Sequence, residues 1–251
     1  MTSYPPNSPE PLIFSVSKDR GFGVHIRYQV GYGAYADFGD ENLVNVGNDG
    51  VIDFSANVFE EDTVIKLYFY AASSDLVFVG PGIVSVIEWG TGLRSVKSIR
   101  FGTFSWGQAG GAWQPVSPLL PGGDPVNFGC PFLTSVPDHL PFNAEIEAFT
   151  AMFFGCKRLN CSLENWDITH SGEFGQMFKH CETFNGSLAN WDFHTSQEPE
   201  WVSTPNFSQM FQYCYAFQQD LSNWDLKRMS EDSFNFPPNL PPSKYPQFKQ
   251  S

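Results

Sequence analysis

Three stretches of this chain align with one another without a gap. They read MFFGCKRLNCSLENWD at 152–167, MFKHCETFNGSLANWD at 177–192 and MFQYCYAFQQDLSNWD at 210–225. In each copy Cys follows Met by 4 residues and Trp follows Met by 14. The first two copies start 25 residues apart and the last two 33 apart, which places about eight extra residues within 194–205. A unit of this length cannot bury its own apolar face, whereas stacked units can, because equivalent positions fall on top of one another. The repeat therefore predicts four internal columns: Met152, Met177 and Met210; Phe153, Phe178 and Phe211; Cys156, Cys181 and Cys214; and Trp166, Trp191 and Trp224. The Met-Phe-x-x-Cys segment suits a short helical turn, since positions four apart share a face. The Ser-Leu-x-Asn-Trp segment alternates apolar and polar, as a short strand does. Asn165, Asn190 and Asn223 are expected to bond the turn backbone or one another.

Weaker copies flank these three. Residues 128–141 keep the Cys-x-x-Leu step, with Cys130 lying 26 residues before Cys156. Residues 93–101 alternate like a further edge turn, and residues 233–242 read as a decayed last turn ended by proline. Atypical end units are what a stacked array needs to close itself off.

The consensus M-F-x-x-C-x-x-[LF]-[NQ]-x-[SD]-L-x-N-W-D resembles the repeat of BspA-like leucine-rich-repeat surface proteins, above all the mycoplasma-lipoprotein variant. The resemblance covers about 93–242. It implies a leucine-rich-repeat-type solenoid, and a place among bacterial surface proteins, adhesin-like proteins and phage virion proteins.

Residues 12–87 carry a different pattern. Strands are expected at 12–16, 23–30, 35–38, 51–54, 64–70 and 76–79, separated by Gly, Asn and Asp. Asn48-Asp49-Gly50 is a hairpin signal. Short strands at this spacing point to a small antiparallel sandwich. The segment YADFGDE at 35–41 resembles the signature of PKD-like sandwich domains, with Phe38 where that family has Trp and Glu41 where it has the last Gly. The expected fold is β-rich: an N-terminal antiparallel β-sandwich followed by a short leucine-rich-repeat-like α/β solenoid. The divisions are an arm at 1–11, the PKD-like sandwich at 12–88, the BspA-like solenoid at 89–242 and a tail at 243–251.

Charge narrows the partners. The net charge is −13, from 14 cations and 27 anions. Nucleic acid and anionic membrane surfaces both call for a basic face, so neither is an expected partner. No run of 18 apolar residues marks a membrane span. Residues 1–11, MTSYPPNSPEP, lack the charged and apolar regions of an export signal, so synthesis in the cytoplasm without export by that route is expected.

Several side chains could carry chemistry. The five cysteines make no C-x-x-C pair, and the Cys column reads as buried thiols rather than a metal site. Asp37, Asp40 and Glu41 either cluster oxygens for Ca²⁺ or form a turn bonded to its own backbone. Asp37 with Asp40 and Glu145 with Glu147 are near pairs of carboxylates, as a glycosidase uses. No G-x-S-x-G, H-E-x-x-H or phosphate-binding loop occurs. The expectation is therefore no enzyme, no cofactor and no metal. Trp106, Trp113 and Trp201 fall outside the repeat register in Gly- and Pro-rich stretches, which makes them candidate contact residues. The segments 104–124 and 193–205 are the expected contact loops.

Together these features lead to a non-enzymatic structural and interaction protein of a virus particle: a phage tail, baseplate or fibre component, or a capsid decoration protein. Its expected partners are other virion proteins, sister subunits and a host cell-surface receptor, with no nucleic acid and no membrane insertion. The alternative is a bacterial cell-surface adhesin-like protein that binds host glycan or protein.

Overall fold

The computed structural model describes residues 9–18, 23–28, 33–47, 59, 61–102, 105–109, 112–116, 130–142, 144–193, 205–226, 234 and 236–248. The strand expected at 51–54, the Asn48-Asp49-Gly50 turn, Trp201 and most of the 193–205 insert lie outside them.

Strand β1 (Leu12–Val16) buries Leu12, Phe14 and Val16 and leaves Ile13 and Ser15 half-covered, the period of a strand with one face on a core. It runs antiparallel to both β5 (Thr63–Tyr68) and β7 (Ile83–Glu88). With β3 (Ala34–Asp37) and β4 (Leu43–Gly47) these make a five-stranded sheet in the order β4-β3-β5-β1-β7. A second sheet holds β2 (Gly23–Tyr28), β6 (Ala71–Val79) and β8 (Ser98–Phe101) in the order β2-β6-β8. Phe14 of β1 meets Phe78 of β6 edge to face at 6.0 Å, so the two sheets share one core.

The protein is β-rich with almost no helix. Among the described residues the one helical element is a 3-10 turn at Pro242–Lys244. The helical turn expected of Met-Phe-x-x-Cys does not form, for a local reason. Ala151, Gln176 and Gln209 have φ of 54°, 58° and 57°, and Gly155, His180 and Tyr213 have φ of 74°, 62° and 66°. These positions lie two before and two after each column Phe. A left-handed residue on either side breaks a right-handed helix before it completes a turn. The Ser-Leu-x-Asn-Trp segment is not a strand either. Trp166, Trp191 and Trp224 each donate their backbone N–H to the carbonyl of the Leu three residues earlier, at 3.1, 3.2 and 2.9 Å.

Successive turns of chain lie in layers joined by backbone hydrogen bonds. The Phe101 N–H bonds Met152 O, the Phe153 N–H bonds Met177 O and the Phe178 N–H bonds Met210 O, at 2.8, 2.9 and 2.9 Å. Upstream, β8 pairs in parallel with β6, setting Phe101 against Phe78. On the other wall, Thr134 donates to Val84 O and Val86 to Ser135 O, which joins β7 to the next layer. Thus β6 and β7, one from each sheet, are the first layer. Both sheets run on into the repeats without an interruption of the core.

The second layer is assembled from two separated pieces. Phe101 supplies its aromatic position, and Cys130, 29 residues later, supplies its thiol position. In the three clear copies the same two positions are three residues apart. The weak copies at 93–101 and 128–141, the latter described from Cys130 onward, are therefore the two halves of one layer. An antiparallel ribbon, β9 (Ser105–Ala109) with β10 (Ala112–Val116), lies in the interval. At the far end, β11 (Asp225–Leu226) pairs in parallel with β12 (Gln247–Phe248), and Phe234, Leu240 and Phe248 cover the last Trp layer.

Candidate functional site

The four columns read from the repeat lie inside. Met152, Phe153, Cys156, Trp166, Met177, Phe178, Cys181, Trp191, Met210, Phe211, Cys214 and Trp224 are all buried. The phenylalanine column is longer than its three sequence-marked members. Phe78, Phe101, Phe153, Phe178 and Phe211 stack in order, with ring centroids 4.7, 5.3, 5.7 and 5.6 Å apart. The polar ends of the other columns are used between layers. Trp166, Trp191 and Trp224 donate their indole N–H to the carbonyls of Pro137, Leu163 and Leu188. Each thiol donates to the carbonyl of the column residue one layer back: Cys130 to Phe78, Cys156 to Phe101, Cys181 to Phe153 and Cys214 to Phe178. Burial pushes the Cys156 thiol up to about 12 and raises Cys130, Cys181 and Cys214 as well. A thiol held protonated in this way is a poor nucleophile.

Asp37 is buried, and its Oδ1 accepts from the Gly39 and Glu41 N–H groups at 2.9 and 3.0 Å. Its Oδ2 faces Lys66 Nζ at 3.4 Å. Asp40 accepts from the Asn42 N–H. The acidic turn is bonded to its own backbone, with Glu41 in the left-handed region at φ 61°. Glu145 and Glu147 both bind Lys97, at 3.0 and 3.1 Å, and so form a salt-bridge cluster. Asn165, Asn190 and Asn223 stand exposed at turn tips. The side-chain bonding expected of them occurs in another column, where the Asn185 N–H donates to Asn160 Oδ1 and the Gln218 N–H to Asn185 Oδ1. Among the described residues no group of three His, Cys, Asp or Glu could hold a metal ion. The backbones of Trp106 and Trp113 belong to β9 and β10; their side chains, like Trp201, lie outside the description.

One surface gathers cationic and aromatic side chains that the sequence pattern did not mark. It lies at the corner where each layer passes from its column Phe to its thiol and just beyond. The backbone there is fixed from layer to layer, with the Gly155 N–H on Lys179 O and the His180 N–H on Gln212 O, both at 2.9 Å. Arg158 lies over the Phe132 ring at 4.8 Å, and the Lys179 ammonium over the Phe154 ring at 5.9 Å. The edge of Phe154 meets His180 at 5.6 Å, and His180 stacks on Tyr213 at 4.4 Å. Tyr213 and Tyr215 lie 6.2 Å apart at 55° and remain 38% and 50% exposed. Lys157 pairs with Glu182 at 3.2 Å. Burial, together with the charges of Lys179 and Lys157, holds the His180 imidazole below its ordinary value of 6.5. The result is a cationic and aromatic strip across four layers of a strongly acidic protein. Such a strip can hold a ligand that has flat C–H faces and negative charge.

Residues 142–239 match the model of a family described as Mycoplasma protein of unknown function, DUF285. The match spans the three clear copies and is compatible with the BspA-like character of the repeat. No curated protein and no solved structure matches the chain.

Proposed function

We propose that the chain is a non-enzymatic structural and interaction protein of a virus particle, a tail, baseplate, fibre or decoration component that presents its layered surface for attachment or assembly. In this reading the two facing sheets form a PKD-like sandwich that docks the protein. The layers form a short BspA-like, leucine-rich-repeat-type solenoid that carries the contact surface. One observation supports it above others: the five-ring column from Phe78 to Phe211 ties both parts into a single body. Close-packed interiors transmit strain rather than absorb it, so a surface on the repeats is held in fixed relation to the sheets. Rigid display is what an attachment protein requires, since it limits the ordering penalty on binding.

A second reading, a bacterial cell-surface adhesin, is favoured by the match of 142–239 to a Mycoplasma family. Quantitative mass spectrometry of purified particles, set beside protease shaving of intact cells, separates the two. The virion reading expects the chain in particles at fixed stoichiometry. Release from the cell surface with absence from particles selects the adhesin. A chain found in neither place overturns both.

A further inference from the structure

We infer that the strip formed by Phe132, Phe154, Arg158, Lys179, Tyr213 and Tyr215 binds a linear acidic polysaccharide, a chain of uronic-acid residues lying along the stack. The inference rests on the attachment reading above and names its ligand class.

Charge is the first argument. The protein carries 14 cations against 27 anions. Even so, Lys157, Arg158 and Lys179 collect on this corner with Glu182 as the acid paired there. On a surface of net charge −13 this is a local reversal, and local reversals steer anions. Ring geometry is the second. Tyr213 and Tyr215 form two walls of an open angle of 55°, both accessible to solvent. A pyranose offers an apolar C–H face to such rings and hydroxyls to the polar groups between them. The third is an unanswered acceptor. Gln212 Oε1 is buried without a hydrogen-bond partner. It occupies the same position in its layer as Phe154 and Lys179 do in theirs, next to Tyr213. A buried acceptor without a donor is unfavourable, so this corner gains if a donor is brought to it.

Extent selects a chain over a single terminal sugar. The strip crosses four consecutive layers, from Phe132 to Tyr215. Its rings recur layer by layer at 4.4–5.6 Å where they follow one another through Phe154, His180 and Tyr213. A linear polymer can repeat its contacts at each layer, which multiplies weak individual contacts through effective concentration.

The test is calorimetric titration of the full chain with oligogalacturonate of defined length. Malto-oligosaccharide of equal length, sialyllactose and a poly-glutamate peptide serve as comparison probes. The expected result is binding of oligogalacturonate that tightens with length and weakens as salt is raised. The double variant Tyr213→Ala/Tyr215→Ala is expected to weaken it about tenfold or more, and Arg158→Gln/Lys179→Gln likewise. Both pairs lie at the surface, and an unchanged thermal midpoint verifies that each variant is folded. No binding of oligogalacturonate, equal binding of the neutral sugar, preference for sialyllactose or the peptide, or binding that either folded double variant leaves intact would overturn the inference. If glycan binding fails while the chain is present in particles or on cells, the strip proposal falls and the attachment reading stands.

Discussion

The thiol of Cys214 donates to the carbonyl oxygen of Phe178 at 2.8 Å, reaching from its own layer to the one before. Cys181 does the same to Phe153 at 3.0 Å. The cysteine column thus adds a second donor to carbonyls such as Phe153 O and Phe178 O, which already accept a backbone N–H. Serine at position 181 would keep a donor there, and alanine would not. The Phe153 carbonyl also accepts from the Cys156 N–H at 2.9 Å, so the thiol is its second donor. Cys181→Ala is expected to destabilise by about 1 kcal/mol, the net worth of a typical hydrogen bond, and Cys181→Ser by less. Urea unfolding of the two variants measures the difference.

Alkaline stability follows from the same column. The thiol of Cys156 ionises at about 12 when folded, against an ordinary value of 9.0, because burial opposes the thiolate. The native state therefore retains a proton that the unfolded chain releases. The stabilisation is complete below pH 9 and declines as pH rises from there toward 12. Cys130, Cys181 and Cys214 shift in the same direction. Denaturant midpoints measured from pH 8 upward should fall in this window, and replacement of Cys156 by alanine should flatten the slope.

Thiol labelling should be ordered. Cys161 is the one cysteine of five that is not fully buried. A disulfide-exchange reagent at neutral pH is expected to modify Cys161 first, with the other four reacting only as the protein unfolds. Peptide mapping of the labelled protein reads the order directly.

Gly186 is fixed by its neighbour in the preceding layer. A Cβ at this position would lie 1.8 Å from the carbonyl oxygen of Cys161. Gly186→Ala forces two layers apart and should cost about 1–3 kcal/mol, the range for overpacking a well-filled interior. Thermal unfolding of this variant measures the loss.

The repeat made much of this fold legible. Met152, Phe153, Cys156 and Trp166 recur at fixed spacing because stacked layers demand the same residue at the same place, and all of them lie in the core. Phe78 and Phe101 belong to the same column but lack the surrounding motif. Their neighbours are strand residues of β6 and β8, so spacing alone could not assign them. The second layer was hidden because a long insertion separates Phe101 from Cys130. The local conformation of Met-Phe-x-x-Cys escaped for another reason. Left-handed backbone recurs at Ala151, Gln176 and Gln209, where the first two donate their N–H to the next layer, and none of these residue types announces it. The cationic strip was illegible because it occupies the positions at which the copies differ: Gly155, His180 and Tyr213 are equivalent in place and unlike in chemistry.

The sheets and the repeats share one core, with Phe101 stacked between Phe78 and Phe153 at 4.7 and 5.3 Å. Differential scanning calorimetry of the full chain beside Phe101→Ala tests this most directly. A shared core predicts a single transition for the parent, with calorimetric and van't Hoff enthalpies in agreement. For the variant it predicts a loss of about 3–5 kcal/mol that is felt by probes in both regions. Two separate transitions in the parent, or a variant that melts its repeats early while the sheets keep their midpoint, would contradict it.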